Sequence, residues 1–464
     1  MTQAAREATS SVAGTSLGES TDLLRPRAPW FLPIAAGVVL IVGAVAGFGF
    51  LAGAALVALE IAYFVFFARH MAFALVALDT ARSDLDGPAI RSGVEPTVSV
   101  IVAGKNEEAV IARLARSLAA LDYPADRIQF LIVDDGSTDR TGAILDEIAE
   151  ADPRFVALHR PLGAGGAKSA ALNTALKVAT GEVIVVFDAD HEPRPDVIWR
   201  LSRHFADPEV AAVQGRCAIS NASDSPLARL VWLDYLAGYL VNEYGRQALF
   251  ELPAYGGANC AVRASSLRLV GGWNEQSVTE DTDLTLRLKL SGFSVRYDVS
   301  AVDEEEGVVS LDRYWRQRYR WARGHQQVWR DYAGTVWRSK HLTFAEKIET
   351  TLFLLVFHIP VVSGMGLALL GLWFAGAFHP FEAGTAFFFW TLLLLGPMLE
   401  MGSGLLIAKA DRRNAFYLLL FVPIYFVTIA LCTKAWIDGL LGRPYTWSKT
   451  MRGADPRVPA GAVR

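Results

Sequence analysis

Three apolar stretches constrain this chain more than anything else in it. Residues 29–78, 350–408 and 415–433 cover 128 positions yet hold only four charged side chains, Glu60, Arg69, Glu382 and Glu400. Ionised groups are costly in hydrocarbon and ordinary on a soluble surface, so stretches of this kind belong in a bilayer. The other 336 positions carry charge at 26%, the density of a soluble domain. A soluble unit therefore sits between apolar slabs, which excludes both a simple cytosolic enzyme and a pure membrane bundle. A hydrophobic content of 52% excludes a disordered chain. The net charge of −4 disfavours nucleic acid as a partner. Cys217, Cys260 and Cys432 are scattered and odd in number, so neither a disulfide framework nor a zinc site is expected.

The first slab, 29–78, is long enough for two transmembrane helices meeting near Gly47-Phe48-Gly49, and too long for a signal peptide. The stretch 348–408 predicts two more, parted by a turn at His379-Pro380. Lys and Arg favour the cytoplasmic side. Arg25 and Arg27 precede the first helix, Arg69, Arg82 and Arg91 follow the second, Lys340 and Lys347 precede the third, and Lys409, Arg412 and Arg413 follow the fourth. The tail 1–28 and the soluble middle are thus expected in the cytoplasm of a multi-pass cell-membrane protein. The segment 415–440 conflicts with this parity, because a fifth crossing would place Lys434, Arg443, Lys449 and Arg452 outside. It is expected to lie in the interface or to re-enter, with a fifth transmembrane helix as the alternative.

In the soluble middle, 95–308, the apolar runs Val98–Val102, Phe130–Val133, Phe155–Leu158 and Val183–Phe187 alternate with helical patterns over Glu107–Leu121, Asp139–Glu150 and Ala167–Thr180. Fully apolar strands alternating with helices predict a mostly parallel sheet covered on both faces, with its ligand site at the carboxyl ends of the strands. Polar clusters stand at those ends: Lys105-Asn106-Glu107, Asp134-Asp135-Gly136-Ser137 and Asp188-Ala189-Asp190. One acidic residue after a strand is usually a helix cap, but three clusters at neighbouring strand ends point to a site. Asp188 and Asp190 alternate on an extended segment, and paired carboxylates suit Mg²⁺ or Mn²⁺. The run from Gly163 to Ser169 lacks the glycines of a Walker loop at 162 and 167, so its glycines are expected only to bring Lys168 to a diphosphate. Downstream, Gly256-Gly257 leads to Thr279-Glu280-Asp281 at the start of a helix, where Thr279 is a capping candidate and Asp281 either favours the helix dipole or acts as a general base. Residues 309–340 form a cationic, aromatic amphipathic helix, on which Gln317, Arg320 and Trp321 share one face.

Asp134-Asp135-Gly136, Asp188-Ala189-Asp190, Thr279-Glu280-Asp281 and Gln317-Arg318-Tyr319-Arg320-Trp321, in this order between membrane slabs, resemble the processive family 2 glycosyltransferases that include cellulose, chitin, hyaluronan and poly-N-acetylglucosamine synthases. The resemblance implies an α/β GT-A domain inserted between N- and C-terminal transmembrane helices. It also implies inverting polymerisation of a UDP-sugar, glucose or N-acetylglucosamine, into a β-linked polysaccharide exported through the membrane helices. Asn106, Glu107, Asp134 and Asp135 would contact the nucleotide, Asp188 the ribose or diphosphate, and Asp190 with Asp188 the metal, Mg²⁺ or Mn²⁺. Lys168 and Arg320 would face the leaving diphosphate. Asp281, beside Glu280, would be the catalytic base, and Gly256, Gly257, Gln317 and Trp321 would hold the acceptor. In cellulose synthases an interfacial helix is followed by a gating loop; here the tail 443–464, with Trp447, Thr450 and Arg452, occupies that position. The implied partners are the UDP-sugar, the growing polysaccharide, membrane lipid and an accessory membrane or periplasmic subunit. Two other readings stay open: transfer of a single sugar to a lipid, and a transporter with a regulatory nucleotide-binding domain. Glu60, His358 and Glu400 are expected to line a polar membrane path or to form paired contacts.

Overall fold

The structure is a computed structural model that describes residues 35–39, 41, 49–85, 95–254, 256–376 and 383–443. Most of the first expected crossing, the turn at His379-Pro380, and Trp447, Thr450 and Arg452 lie outside the described residues.

The soluble unit is built on an eight-stranded sheet of order β3-β2-β1-β4-β7-β6-β8-β5. Strands β1 (Val98–Gly104), β2 (Ile128–Asp134), β3 (Phe155–His159) and β4 (Val183–Asp188) are mutually parallel. Successive side chains point to opposite faces, and both faces are covered. Val98, Val100 and Val102 enter one buried cluster with Leu114, Leu118 and Leu145, while Ile101 enters the other with Leu172, Leu284 and Leu288. Register then fixes the site: Gly104 lies opposite Asp134, and Ala103 opposite Asp188, so all three polar clusters emerge at one edge.

The other half of the sheet is mixed. β7 (Cys260–Arg263) runs antiparallel to both β4 and β6 (Val210–Ile219), and β8 (Ser294–Glu305) runs parallel to β6. The β6–β8 register slips between Gly215 and Arg216. A side chain at Gly215 would meet the Ala301 carbonyl oxygen at 2.6 Å, so glycine is required where the strands close in. Beyond the bulge, Cys217 stands opposite Asp303, and the short β5 (Glu192–Pro193) pairs with Asp303 and Glu304. This antiparallel flank carries His191 to Asp303 and Glu305.

Around this unit run the apolar helices. Helix α1 (Gly49–Leu85) is continuous, contains a window long and apolar enough to cross a membrane (Ala54–Thr80), and continues seven residues past the expected end at 78. Its Phe73, Ala74 and Ala77 pack with Leu230, Leu240, Tyr297 and Val299 of the soluble unit. Helix α2 (Leu311–Arg338) follows the sheet, capped by Ser310, whose side chain accepts from the Arg313 amide. The expected crossing after residue 348 is a pair, α3 (Phe344–Leu355) and α4 (Ile359–Phe374), bent by 65° where Pro360 lacks an amide donor. Next come α5 (Ala383–Ile407) and α6 (Phe421–Leu440). The span Arg412–Leu440 is long and apolar enough to cross, so the segment expected in the interface meets the length and composition of a fifth crossing. Helix α2 docks on α6: Tyr319 Oη donates to Asp438 at 2.7 Å, and Gln326 Nε2 to the Cys432 carbonyl at 3.2 Å. All three cysteines are buried and none is in a disulfide.

Candidate active site

A cavity of about 510 Å³ opens at the carboxyl edge of the sheet and continues between the apolar helices. Its sheet end is lined by Lys168, Asp188, His191, Gln214, Glu280 and Asp281, and its far end by His70, Glu400, Phe421 and Tyr425.

Lys168 is in the first turn of the helix Ala167–Leu176, after Gly163, Gly165 and Gly166, each with positive φ. Its ammonium donates to Asp188 Oδ1 at 2.5 Å and to the Gly257 carbonyl at 3.0 Å, and lies 3.6 Å from Glu280. Burial alone would lower its pKa, but Asp188 and Glu280 outweigh burial and raise it, so the group stays charged. Asp281 begins the helix Glu280–Leu290; its Oδ1 accepts from the Thr282 amide at 2.6 Å. Burial first, and then the neighbouring Glu280, push its carboxyl up to about 6. A Cβ at Gly257 would stand 3.0 Å from Asp281 Oδ2, so that loop approaches the carboxylate as closely as glycine allows. Gly256 donates its amide to Gln214 Oε1, which fixes the same loop. Thr279 stands at the helix N-cap without a side-chain capping bond; instead it packs against Gly324 of α2, where a Cβ would meet Thr279 Cγ2 at 2.2 Å.

Helix α2 brings Gln317, Arg320 and Trp321 to the cavity on one face, as their spacing requires. Gln317 is 6% exposed and its Oε1 has no hydrogen-bond partner among the described residues. The guanidinium of Arg318, paired with Asp234, stacks 4.4 Å from the Trp321 ring and holds it.

The nucleotide-side candidates gather at the β1 and β2 ends, outside the lining of the large cavity. Asn106 takes positive φ; its amide donates to Ser137 Oγ, and its Oδ1 accepts from the Thr138 amide at 2.8 Å. The Glu107 amide donates to Thr141 Oγ1. Asp134 Oδ1 accepts from the Ser137 amide, which shapes the turn, while Asp135 is paired with Arg160. Burial raises the Asp135 carboxyl despite that arginine.

His191 and Glu305 were not singled out by the sequence. One ligand atom each from Asp190, His191 and Glu305 lies within 4.8 Å of the others, all three side chains buried. His191 Nδ1 contacts Asp303, and although burial lowers the imidazole pKa, Asp303 overrides it and pushes it up to about 10. The two carboxylates fit Mn²⁺ or Mg²⁺, and His191 would add a nitrogen donor through Nε2 only on losing a proton to the bound ion, which suits Mn²⁺ better than Mg²⁺. The available signal was His191 directly after the Asp188-Ala-Asp190 pair, together with the acidic run Asp303–Glu305 inside a strand. Of the three membrane residues singled out, Glu400 lines the cavity, whereas Glu60 and His358 do not.

The family model for glycosyl transferase family 2 matches residues 99–269. A beta-monoglucosyldiacylglycerol synthase of Synechocystis is 38% identical over 284 residues, 60% of this chain and 58% of that protein. The probable glycosyltransferase YdaM of Bacillus subtilis is 30% identical over 345 residues, 74% of this chain and 80% of that protein. The chain spans little more than half the length of the first curated relatives it matches. Among solved structures, a mannosyltransferase of Pyrobaculum calidifontis superposes with a TM-score of 0.55 at 21% identity, covering 83% of this chain and all of that one. The shared fold is the GT-A arrangement.

Proposed function

This chain belongs to glycosyl transferase family 2 and is a glycosyltransferase, and from that premise we propose that it moves a hexosyl group from a UDP-sugar to a hydroxyl of a membrane lipid, with inversion. The single observation that carries this reading is the continuous cavity from Asp281 to Glu400 and Tyr425, which joins the carboxylate site to the apolar helices. The relatives named for a lipid product point the same way. The transporter reading gives way to family membership.

In this mechanism Asp281 takes the proton of the acceptor hydroxyl as its oxygen bonds to the anomeric carbon. The bond from that carbon to the diphosphate oxygen breaks, and the electron pair leaves with UDP. Lys168 and Arg320 face the departing charge, where fixed cations in a low-dielectric cleft contribute most. Asp188 and Asp190, joined by His191 and Glu305, would hold Mg²⁺ or Mn²⁺, which when bound supplies further positive charge to the diphosphate. Asn106, Glu107 and Asp135 take the nucleotide, with Asp134 shaping their turn. Gly256 and Gly257 frame the acceptor. The catalytic unit is cytoplasmic and the protein multi-pass, with 415–440 lying in the interface or re-entering, so that 443–464 stays on the side of the site as a gating segment; the Arg443 carbonyl accepting from Arg323 of α2 supports that side.

A base poised near pH 6 sets a pH dependence. The carboxylate must be ionised to accept a proton, so kcat/KM is expected to fall as pH drops below about 6 and to level off above it. A pH–rate profile checks this, and a flat profile from about pH 5 to 8 would remove Asp281 from the role.

Polymerisation with export, implied by the resemblance, keeps one observation in its favour: Gln317 and Trp321 line the same cavity, and a tryptophan face suits the terminal sugar of a growing chain. Membranes supplied with a panel of labelled nucleotide sugars separate the two readings. Label in extractable glycolipid supports lipid transfer. Label in material released only by cellulase, chitinase, hyaluronidase or mannanase supports polymerisation.

A further inference from the structure

The far end of the cavity has its own polar construction, which glycosyl transfer at Asp281 does not use. His70 of α1, Asn242 and Glu400 of α5 meet there: His70 Nδ1 lies 2.8 Å from Glu400 Oε1, and Asn242 Nδ2 donates to the same carboxylate at 3.3 Å. Asn242 and the neighbouring Glu243 belong to a π-helical segment, Leu236–Glu243, whose widened turn lies along the cavity. Two close approaches hold the node. Gly396 stands one turn before Glu400, and a Cβ there would meet His70 Cδ2 at 2.7 Å; at Gly404 a Cβ would meet Leu236 Cβ at 2.9 Å. Side chains at these positions would push α1 and the π-helical segment off α5.

The charge balance at this end is one-sided. Arg69 and Arg246 are nearby but engaged: Arg69 clasps Glu349 through two bonds of 2.8 and 2.7 Å and also donates to Asn242 Oδ1 at 3.3 Å, and Arg246 binds Glu349 and Glu243. Neither lines the cavity, whereas Glu243 and Glu400 both do. Of the cations that line it, Lys168 is held by Asp188 and Glu280, Arg318 by Asp234, and Arg320 neighbours Trp321 on α2. A phosphate brought to the Glu400 end would lose its hydration, face Glu243 and Glu400, and meet only cationic groups already paired with carboxylates, Arg69 with Glu349 and His70 with Glu400. A hydroxyl would instead donate to a carboxylate that retains acceptor sites, a charge-assisted bond. The buried, unpartnered Oε1 of Gln317 offers a further acceptor in the same cavity.

We propose that His70, Asn242 and Glu400 form a headgroup site that selects an uncharged, hydroxyl-bearing lipid as acceptor and rejects anionic lipids; this rests on the lipid-transfer reading above. The test uses the full-length protein in phosphatidylcholine nanodiscs with the nucleotide sugar turned over in the donor panel. Diacylglycerol, phosphatidic acid and a polyprenyl phosphate are offered at equal mole fraction. The expected result is a kcat/KM for diacylglycerol at least about tenfold above either anionic lipid, and a KM for diacylglycerol raised about tenfold in Glu400→Gln. The milder Asn242→Ser is expected to shift acceptor KM in the same direction, and nucleotide-sugar affinity by titration verifies that each variant is folded. Equal use of the anionic lipids, or an unchanged acceptor KM in both folded variants, overturns the headgroup site and leaves lipid transfer standing. Polymer formed with no glycolipid from any acceptor overturns the lipid-transfer reading itself.

Discussion

Asp281→Asn is expected to hold its nucleotide sugar and lose its turnover, with kcat for transfer down by about 10²–10⁴-fold. The amide matches the carboxylate in shape, and its oxygen can still accept from the Thr282 amide at the 2.6 Å contact the aspartate makes. What it cannot do is take a proton. The Gly257 loop closes against Oδ2, so no second carboxylate swings into that place without moving the backbone. Glu280, the nearest acid, is engaged with Lys168. Donor affinity should hold or tighten slightly, because one negative charge near the diphosphate is gone. Stopped-time assays of UDP release, paired with nucleotide-sugar titrations, check both halves. Release at the wild-type rate would mean that another group is the base.

The second large effect is on stability. Glu349→Ala is expected to destabilise the protein by about 3–5 kcal/mol, the range for removing one partner from a buried ion pair. Glu349 is 2% exposed in its side chain and lies between Arg69 at 7% and Arg246 at 3%, so truncation strands the Arg69 guanidinium and leaves Arg246 with Glu243 alone. Their stacking on Phe73 and Phe353, 4.4 and 3.9 Å from the ring centroids, does not replace a counter-charge. Glu349→Ala combined with Arg69→Met should recover part of the loss, since the cost comes from the unpaired charge more than from the missing bond. Thermal and denaturant unfolding in one detergent measures the series. A loss below about 1 kcal/mol for the single variant would show that water reaches the triad.

The parallel half of the sheet was legible in the sequence because strands buried on both faces become unbroken apolar words, such as Val98–Val102 and Val183–Phe187. The polar clusters at their ends were legible for the same reason: they interrupt those words at equivalent points, and the register sets them side by side. The antiparallel flank was hidden. β8 carries Asp298, Asp303 and Glu305, all buried and balanced by tertiary partners, so its composition resembles an exposed segment. Glu305 and His191 were missed because their meeting depends on the β5–β8 pairing across more than a hundred residues. Arg69 and Glu400 could be marked as ionisable groups in apolar surroundings, but not given partners, since Glu349 and Asn242 lie far away along the chain. The bend at Pro360 was present as a helix-breaking residue within a long apolar run, whose hydropathy does not register direction.

Helix α1 contains 37 residues in one run, about 55 Å at 1.5 Å per residue. That is nearly twice the roughly 30 Å of a hydrocarbon core. Its surplus turns are embedded in the soluble unit, where Phe73, Ala74 and Ala77 touch Tyr297 and Val299. A flexible tether would let the catalytic unit float at any height above the lipid; a stiff post sunk at both ends does not. In the proposed membrane placement, bilayer thickness would become a mechanical variable of the enzyme, because a thicker or thinner leaflet would tilt the post and with it the distance between Asp281 and the plane where headgroups lie.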